Sequence, residues 1–167
     1  MSARGFHDIS LSQDAARGHR FCIIRTAWNS DITDALAQRV REILEAYGLE
    51  ADKLEEIVVP GAFELIYAAA QATRHFPDAT IIAIGCVVRG GTPHFDYICE
   101  GVTAGLTQVN TTAERAVING VLTVNTYEQA LDRCGKVEDK GYEFALTAIK
   151  MAALADYFGQ HASANSK

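Results

Sequence analysis

The sequence predicts an α/β fold, a three-layer sandwich in which a four-stranded parallel sheet is flanked by helices. Three observations predict it. Short apolar runs rich in β-branched residues alternate with helical stripes along the whole chain. One run, residues 80–88 (TIIAIGCVV), is apolar at nearly every position, as a central parallel strand covered on both faces must be. Turn residues such as Gly48, the Pro60-Gly61 pair and Phe76-Pro77-Asp78 punctuate the runs.

Taken in order, residues 1–19 are polar and aperiodic and read as a loose arm. Residues 20–25 (RFCIIR) form the first strand by length and branching. Asn29, Ser30 or Asp31 can cap the helix that follows. Its stripe is Ile32, Ala35, Leu36, Val40, Ile43, Leu44 and Tyr47, and Gly48 ends it. Residues 56–59 (EIVV) are the second strand, and an alanine-rich helix runs from Ala62 to about Arg74. After the third strand at 80–88, His94 opens a helix to about Asn110 despite Gly101 and Gly105. Residues 116–124 (AVINGVLTV) are the fourth strand. Thr126 and Gln129 form a capping box for a short helix to about Arg133, and residues 134–139 make a charged loop. A last helix spans about 140–158, with Tyr142, Ala145, Leu146, Ile149, Ala153 and Leu154 on its apolar side. The expected organisation is thus an arm (1–19), one α/β domain (20–158) and a polar tail (159–167). Four strands make a thin sheet, and the arm of this chain or of a neighbour could add an edge strand.

Composition narrows the function classes. A formal charge of −6 with scattered Lys and Arg speaks against nucleic-acid binding, so an anionic ligand needs a local cluster of positive groups. No apolar run approaches the roughly 18 residues of a membrane span, and the polar N-terminus is not a secretory signal. Cys22, Cys86, Cys99 and Cys134 are far apart with no C-x-x-C pair, which reads as reduced thiols in a cytoplasmic protein rather than a metal site.

In open α/β sheets ligands bind beyond the carboxyl ends of the strands. The strand-exit loops are therefore where function is expected. Arg89-Gly90-Gly91-Thr92 precedes a helix: two glycines allow close backbone approach, the helix N-terminus adds partial positive charge, and Thr92 adds a hydroxyl. The loop reads equally as a phosphate cradle or as a plain βα turn; neither a P-loop nor a G-x-G-x-x-G is present. His94 beside it is a proton carrier or a packing histidine. Trp28 can stack on a flat ring or lid the core. Glu64 can accept hydrogen bonds from a ligand or simply favour its helix start. A flat ring, hydrogen-bond acceptors, an anion cradle and a proton carrier together suggest a heterocycle plus a phosphorylated partner.

The run Val59-Pro-Gly-Ala-Phe-Glu64, then Gly85-Cys-Val-Val-Arg-Gly-Gly-Thr-Pro-His-Phe-Asp-Tyr97, then Gly120-Val-Leu-Thr123, Glu128-Gln-Ala130 and Arg133, resembles the 6,7-dimethyl-8-ribityllumazine synthases, from about Phe21 to Leu154. The resemblance implies a four-stranded parallel sheet and a reaction without metal or organic cofactor. A 5-amino-6-ribitylamino-pyrimidinedione condenses with 3,4-dihydroxy-2-butanone 4-phosphate and releases phosphate, in riboflavin biosynthesis, with riboflavin synthase downstream. It implies homopentamers or multiples of pentamers, with sites shared between neighbouring subunits.

By position, the resemblance makes Trp28 the stacking aromatic, with Asn29 beside it. Ala62, Phe63 and Glu64 line the pyrimidine and ribityl side, and Val87 and Val88 the wall. Gly91 and Thr92 bind phosphate, and His94 carries protons. Asn119 and Arg133 would come from the neighbouring subunit, Arg133 pairing with the phosphate, and Lys140 lies near them. The chain departs from the family pattern at Ile66, where proline is usual, at Ala27 before the stacking aromatic, at Asn119, where an aromatic is common, and in a shortened loop after Arg133. The shortened loop favours free pentamers or decamers over a hollow shell. The alternatives to the enzyme are a non-catalytic flavin- or lumazine-binding homologue and a monomeric flavodoxin-like regulatory module.

Overall fold

A computed structural model describes residues 11–164, with side chains through residue 161. The elements run β1 (Arg20–Thr26), α1 (Ser30–Ala46), a short 3-10 turn (Ala51–Lys53), β2 (Leu54–Val59), α2 (Glu64–His75), β3 (Ala79–Val88), α3 (His94–Thr112), β4 (Val117–Val124), α4 (Tyr127–Arg133) and α5 (Lys140–Ala164). The strands form one sheet in the order β2-β1-β3-β4, and every pairing is parallel. The expected three-layer fold with a four-stranded parallel sheet is the fold found.

Side-chain alternation along the central strands divides the interior in two. Phe21 and Ile23 of β1 with Ile82, Ile84 and Cys86 of β3 face one side, where they meet Leu36, Val40 and Leu44 of α1, Ala130 of α4 and Leu146 and Ile149 of α5. Cys22 and Ile24 with Ile81 and Ala83 face the other, against Leu65, Ala68, Ala69 and Ala72 of α2 and Val102 and Leu106 of α3. A period-2 strand can feed two cores in this way only when both faces are covered. β3 is buried from Ala79 to Cys86, which bears out its reading as the central strand.

Two glycines set how closely α2 and α3 approach. A Cβ on Gly101 would lie 3.1 Å from the Phe63 ring. One on Gly105 would lie 2.5 Å, 2.7 Å and 2.9 Å from the Cδ1, Cγ1 and Cγ2 atoms of Ile66. Spaced four apart, both glycines lie on one face of α3 and form a notch that seats the start of α2.

The structure departs from the sequence expectations in several places. β1, β2, β3 and α3 extend one to two residues beyond the predicted bounds, β4 begins one residue late at Val117, α2 begins at Glu64 and not Ala62, and α5 runs through residue 159 to Ala164 instead of stopping at 158. A single internal glycine costs a helix only about 1 kcal/mol, and the Tyr157 and His161 rings, one turn apart and 4.1 Å between centroids, carry the helix across it. Ala153 and Leu154 are exposed, and Ala152 continues the buried stripe of α5. Residues 1–10 of the expected arm lie outside the described residues. Residues 13–18 form turns, and no strand is added to the sheet by residues 11–19. Ala16 is fully buried in the α1/α5 core, and its N–H donates to the Tyr47 carbonyl at 2.8 Å. Its small apolar side chain fills a site that charge counting over the segment hides. No helix among the described residues is long and apolar enough to cross a membrane.

Two predictions follow from this packing. Ala at Gly105 gains about 1 kcal/mol of helix propensity and meets an overpacking cost of about 1–3 kcal/mol. Gly105→Ala is therefore expected to lower the melting temperature of the parent chain and to raise it in an Ile66→Ala background, both at one fixed protein concentration; equal effects in the two backgrounds contradict the notch. The second concerns Cys22, whose thiol is pushed up to about 12 from its ordinary 9.0 by burial, with Glu55 adding to it. The unfolded thiol ionises first as pH rises, so stability is full below pH 9 and declines as pH climbs toward 12. Cys22→Ala is expected to flatten that decline in denaturation curves taken between pH 8 and 11.

Candidate functional site

The strand order reverses between β1 and β3, since β1 continues outward to β2 while β3 continues to β4. The carboxyl ends of those two strands open a crevice at this switch point. Three helices begin there: α1 after β1, α2 after β2 and α3 after β3. A cavity of about 540 Å³ fills the crevice.

Its floor is built by backbone bonds between the exit loops. Ala27 N–H donates to the Val59 carbonyl at 2.7 Å, and Trp28 N–H to the Pro60 carbonyl at 3.1 Å. The Trp28 carbonyl accepts from the Thr26 hydroxyl at 3.1 Å, and the Thr26 carbonyl from the buried Thr33 hydroxyl at 2.7 Å. Trp28 is thus held through its backbone while the residue stays 72% exposed. Asn29 has φ 55°, a left-handed conformation that Asn tolerates better than most residues. It stands at the cap position of α1 but does not cap the helix. Its amide instead crosses the crevice to donate to the Cys86 carbonyl at 2.9 Å, tying the β1 exit to β3.

The β2 exit carries Gly61, where an added Cβ would lie 3.0 Å from Glu64 Oε2 and 3.5 Å from the Trp28 ring. The Glu64 carboxylate and the indole therefore converge over this glycine, and a side chain there would press the carboxylate aside. The β3 exit carries Gly90 and Gly91. Neither has positive φ, and a Cβ on either would meet nothing within 4 Å. Neither backbone conformation nor packing within the described residues requires glycine at these two positions.

Of the residues singled out from sequence, Trp28, Asn29, Ala62, Phe63, Glu64, Val87, Val88, Thr92 and His94 line this one cavity. Gly91 stands exposed between two lining residues, Gly90 and Thr92. Asn119, Arg133 and Lys140 are not in the cavity. Asn119 lies exposed on β4, its Oδ1 accepting from Val121 N–H at 3.1 Å. Arg133 ends α4 and donates through Nη1 to the Gln129 carbonyl at 2.9 Å. Lys140 opens α5 between Glu143 (2.9 Å) and Glu138 (3.2 Å); burial alone would lower its ammonium, but the two carboxylates outweigh this and hold it above its ordinary value.

Sequence reasoning assigned no role to Cys86, Phe95 and Ile98, which also line the cavity. Ile98 stands one turn after His94, a spacing that could have found it. The Cys86 thiol is pushed up to about 11, chiefly by burial, with the charges of Asp31 and Cys134 adding to it. It stays protonated near neutrality and is no nucleophile.

Electrostatically, the cavity collects helix starts. α1, α2 and α3 all begin without a side-chain cap. Outside the cavity, α4 is capped by Thr126, which accepts from Gln129 N–H at 3.3 Å, and the Asp139 carboxylate accepts from Tyr142 N–H at 2.9 Å in the first turn of α5. Uncapped first-turn amides and the positive end of the helix dipole favour an anion. The arrangement offers a flat aromatic face, a carboxylate, an amide-rich turn and an imidazole around a single space.

Comparison with known proteins agrees with this chemistry. A profile of the 6,7-dimethyl-8-ribityllumazine synthase family matches residues 18–156. A 6,7-dimethyl-8-ribityllumazine synthase of Porphyromonas gingivalis is 47% identical over 158 residues, covering 91% of this chain and 98% of that protein. One of Bacteroides fragilis is 46% identical over 133 residues, covering 79% and 93%. One of Corynebacterium kroppenstedtii is 43% identical, covering 91% and 94%. With the match spanning the sheet and every exit loop, the chain belongs to the 6,7-dimethyl-8-ribityllumazine synthase family.

Proposed function

We propose that this chain performs its family's condensation at the β1/β3 crevice, joining a 5-amino-6-ribitylamino-pyrimidinedione to 3,4-dihydroxy-2-butanone 4-phosphate. The observation that carries the assignment of the site is the convergence of Trp28, Glu64, Thr92 and His94 on one cavity. In this reading the pyrimidine ring lies on the Trp28 face, and Glu64 accepts from ribityl hydroxyls. The amine attacks the ketone and water leaves to give a Schiff base, with His94 moving the protons. Elimination then expels phosphate toward the Gly91–Thr92 turn, where backbone amides stabilise the departing charge. The remaining side-chain carbonyl meets the ribitylamino nitrogen and closes the second ring with loss of a second water. Positioning two substrates in register supplies much of the rate.

The same reading completes the site with Asn119, Arg133 and Lys140 of a neighbouring copy, Arg133 presenting its planar fork to the phosphate. Support comes from the openness of the cavity: Trp28 is 72% and Phe63 53% exposed, apolar surface of the kind that a partner covers. A homopentamer or a multiple of pentamers follows, with riboflavin synthase consuming the product. The four free cysteines suit the reducing cytoplasm. Family membership favours turnover over a non-catalytic lumazine or flavin binder.

The decisive test is turnover of both substrates followed by lumazine fluorescence, with mass in solution measured on the same sample. Turnover at a mass that is a multiple of five chains is expected, and an active monomer contradicts the shared site. His94→Ala is expected to lower kcat roughly a hundredfold, within the span of single general acid–base groups, and to leave measurable turnover; complete inactivity of the assembled variant contradicts a rate drawn largely from positioning of the two substrates. Arg133→Ala and Gly91→Val are each expected to raise KM for the butanone phosphate at least about tenfold, the order of one lost charge-assisted hydrogen bond. KM for the pyrimidine and the melting temperature should change little.

A further inference from the structure

Arg89 follows β3 directly, and its guanidinium reaches three places. Nη2 and Nη1 donate to the two Asp96 carboxylate oxygens at 2.7 Å and 3.1 Å. Nε donates to Asn125 Oδ1 at 3.0 Å, and the guanidinium carbon stands 4.1 Å over the centre of the Phe95 ring. Its backbone N–H donates to the Val124 carbonyl at 2.9 Å, prolonging the ladder between β3 and β4. The residues between the two ends of this clasp are Gly90, Gly91, Thr92, Pro93 and His94.

We propose that Arg89 is a positioning residue that fixes the phosphate-side turn and His94 by clasping Asp96 and Phe95 of α3 to the β4 exit. The inference rests on the site assignment above and goes beyond it, since Arg89 is not among the residues lining the cavity. Three arguments support it. Two consecutive glycines give the turn wide backbone freedom, and a clasp across its ends removes much of that freedom before substrate arrives. The guanidinium is already occupied: Asp96 takes its bidentate fork and Asn125 its Nε, so it is not presented to an anion in the cavity. The ion pair is solvent-exposed, and exposed pairs add little to global stability. What this pair can deliver is geometry, which the rigid bidentate fork of arginine supplies and a lysine point charge does not. The mutual effect is also seen in their protonation: the bond to Asp96 holds Arg89 above its ordinary value, and Asp96 is held below its own.

The test is steady-state kinetics of the assembled full chain as parent, Arg89→Ala, Arg89→Lys, Asp96→Asn and the Arg89→Ala/Asp96→Asn double variant. KM for each substrate, kcat and melting temperature are measured separately. Arg89→Ala and Asp96→Asn are each expected to raise KM for the butanone phosphate about tenfold or more, the scale on which slight misplacement acts. KM for the pyrimidine should stay within about twofold. The double variant should be no worse than Arg89→Ala alone, because both changes open one clasp, and Arg89→Lys should recover only part of the loss. If Asp96→Asn leaves or improves the butanone phosphate KM while Arg89→Ala raises it, Arg89 contacts the anion directly and the proposal is wrong. Equal losses for both substrates alongside a lowered melting temperature also overturn it, as does an unchanged KM in Arg89→Ala. Failure of the parent chain itself to turn over overturns the site assignment instead.

Discussion

Because β1 and β3 lie side by side and parallel, their carboxyl ends open together, and the helices that follow must start at that one end. This pairing places the Arg25 and Ile84 positions in register and leaves Trp28, Asn29 and the 89–93 turn at the rim. The bond from Asn29 to the Cys86 carbonyl closes the arrangement across the gap. A shift of one residue in the register would exchange the faces of every side chain on the strand. Phe21 and Ile23 would then trade places with Cys22 and Ile24, and both cores would fail. The two cores therefore lock the register, and the register locks the mouth of the cavity.

The helix starts show how the fold divides its polar requirements. α4 and α5 satisfy first-turn amides internally, through Thr126 and Asp139. The three helices at the cavity have no side-chain cap, although a cap is worth about 1 kcal/mol, and bond only some first-turn amides, such as Ile32 and Asp96, to the carbonyls before them. Asn29, a residue type well suited to capping, turns its amide away to serve the neighbouring strand β3. On the proposed assignment of the site, the cost in helix stability falls where a bound anion repays it with hydrogen bonds. Gly90 and Gly91 follow the same logic, since neither conformation nor packing of the chain calls for glycine there.

Much of this was legible in the sequence because each layer leaves its own period. The all-apolar run at 80–88 announced a strand covered on both faces, and the residues placed on the exit loops gather in the cavity. The illegible parts were those where one residue acts through space. Ala16 is buried in a segment whose charges dominate its reading. Phe95 and Ile98 join the wall because α3 begins at the rim; its start at His94 was legible, but which face of its first turns meets the cavity was not. The clasp between Arg89 and Asp96 spans seven residues and a turn, a spacing with no periodic signature. Asn119, Arg133 and Lys140 came from family resemblance alone, and nothing in the geometry of a single chain assembles them with the cavity.

The notch on α3 carries a consequence for how this sequence can diverge. Ile66 fills the space that Gly105 leaves, and Phe63, part of the cavity wall, rests against Gly101. The two contacts join a cavity-lining side chain to a purely architectural one through the same pair of helices. Drift at either glycine is therefore epistatic with α2: descendants can widen one helix only after narrowing the other, and the order of those steps decides which mutational routes stay open.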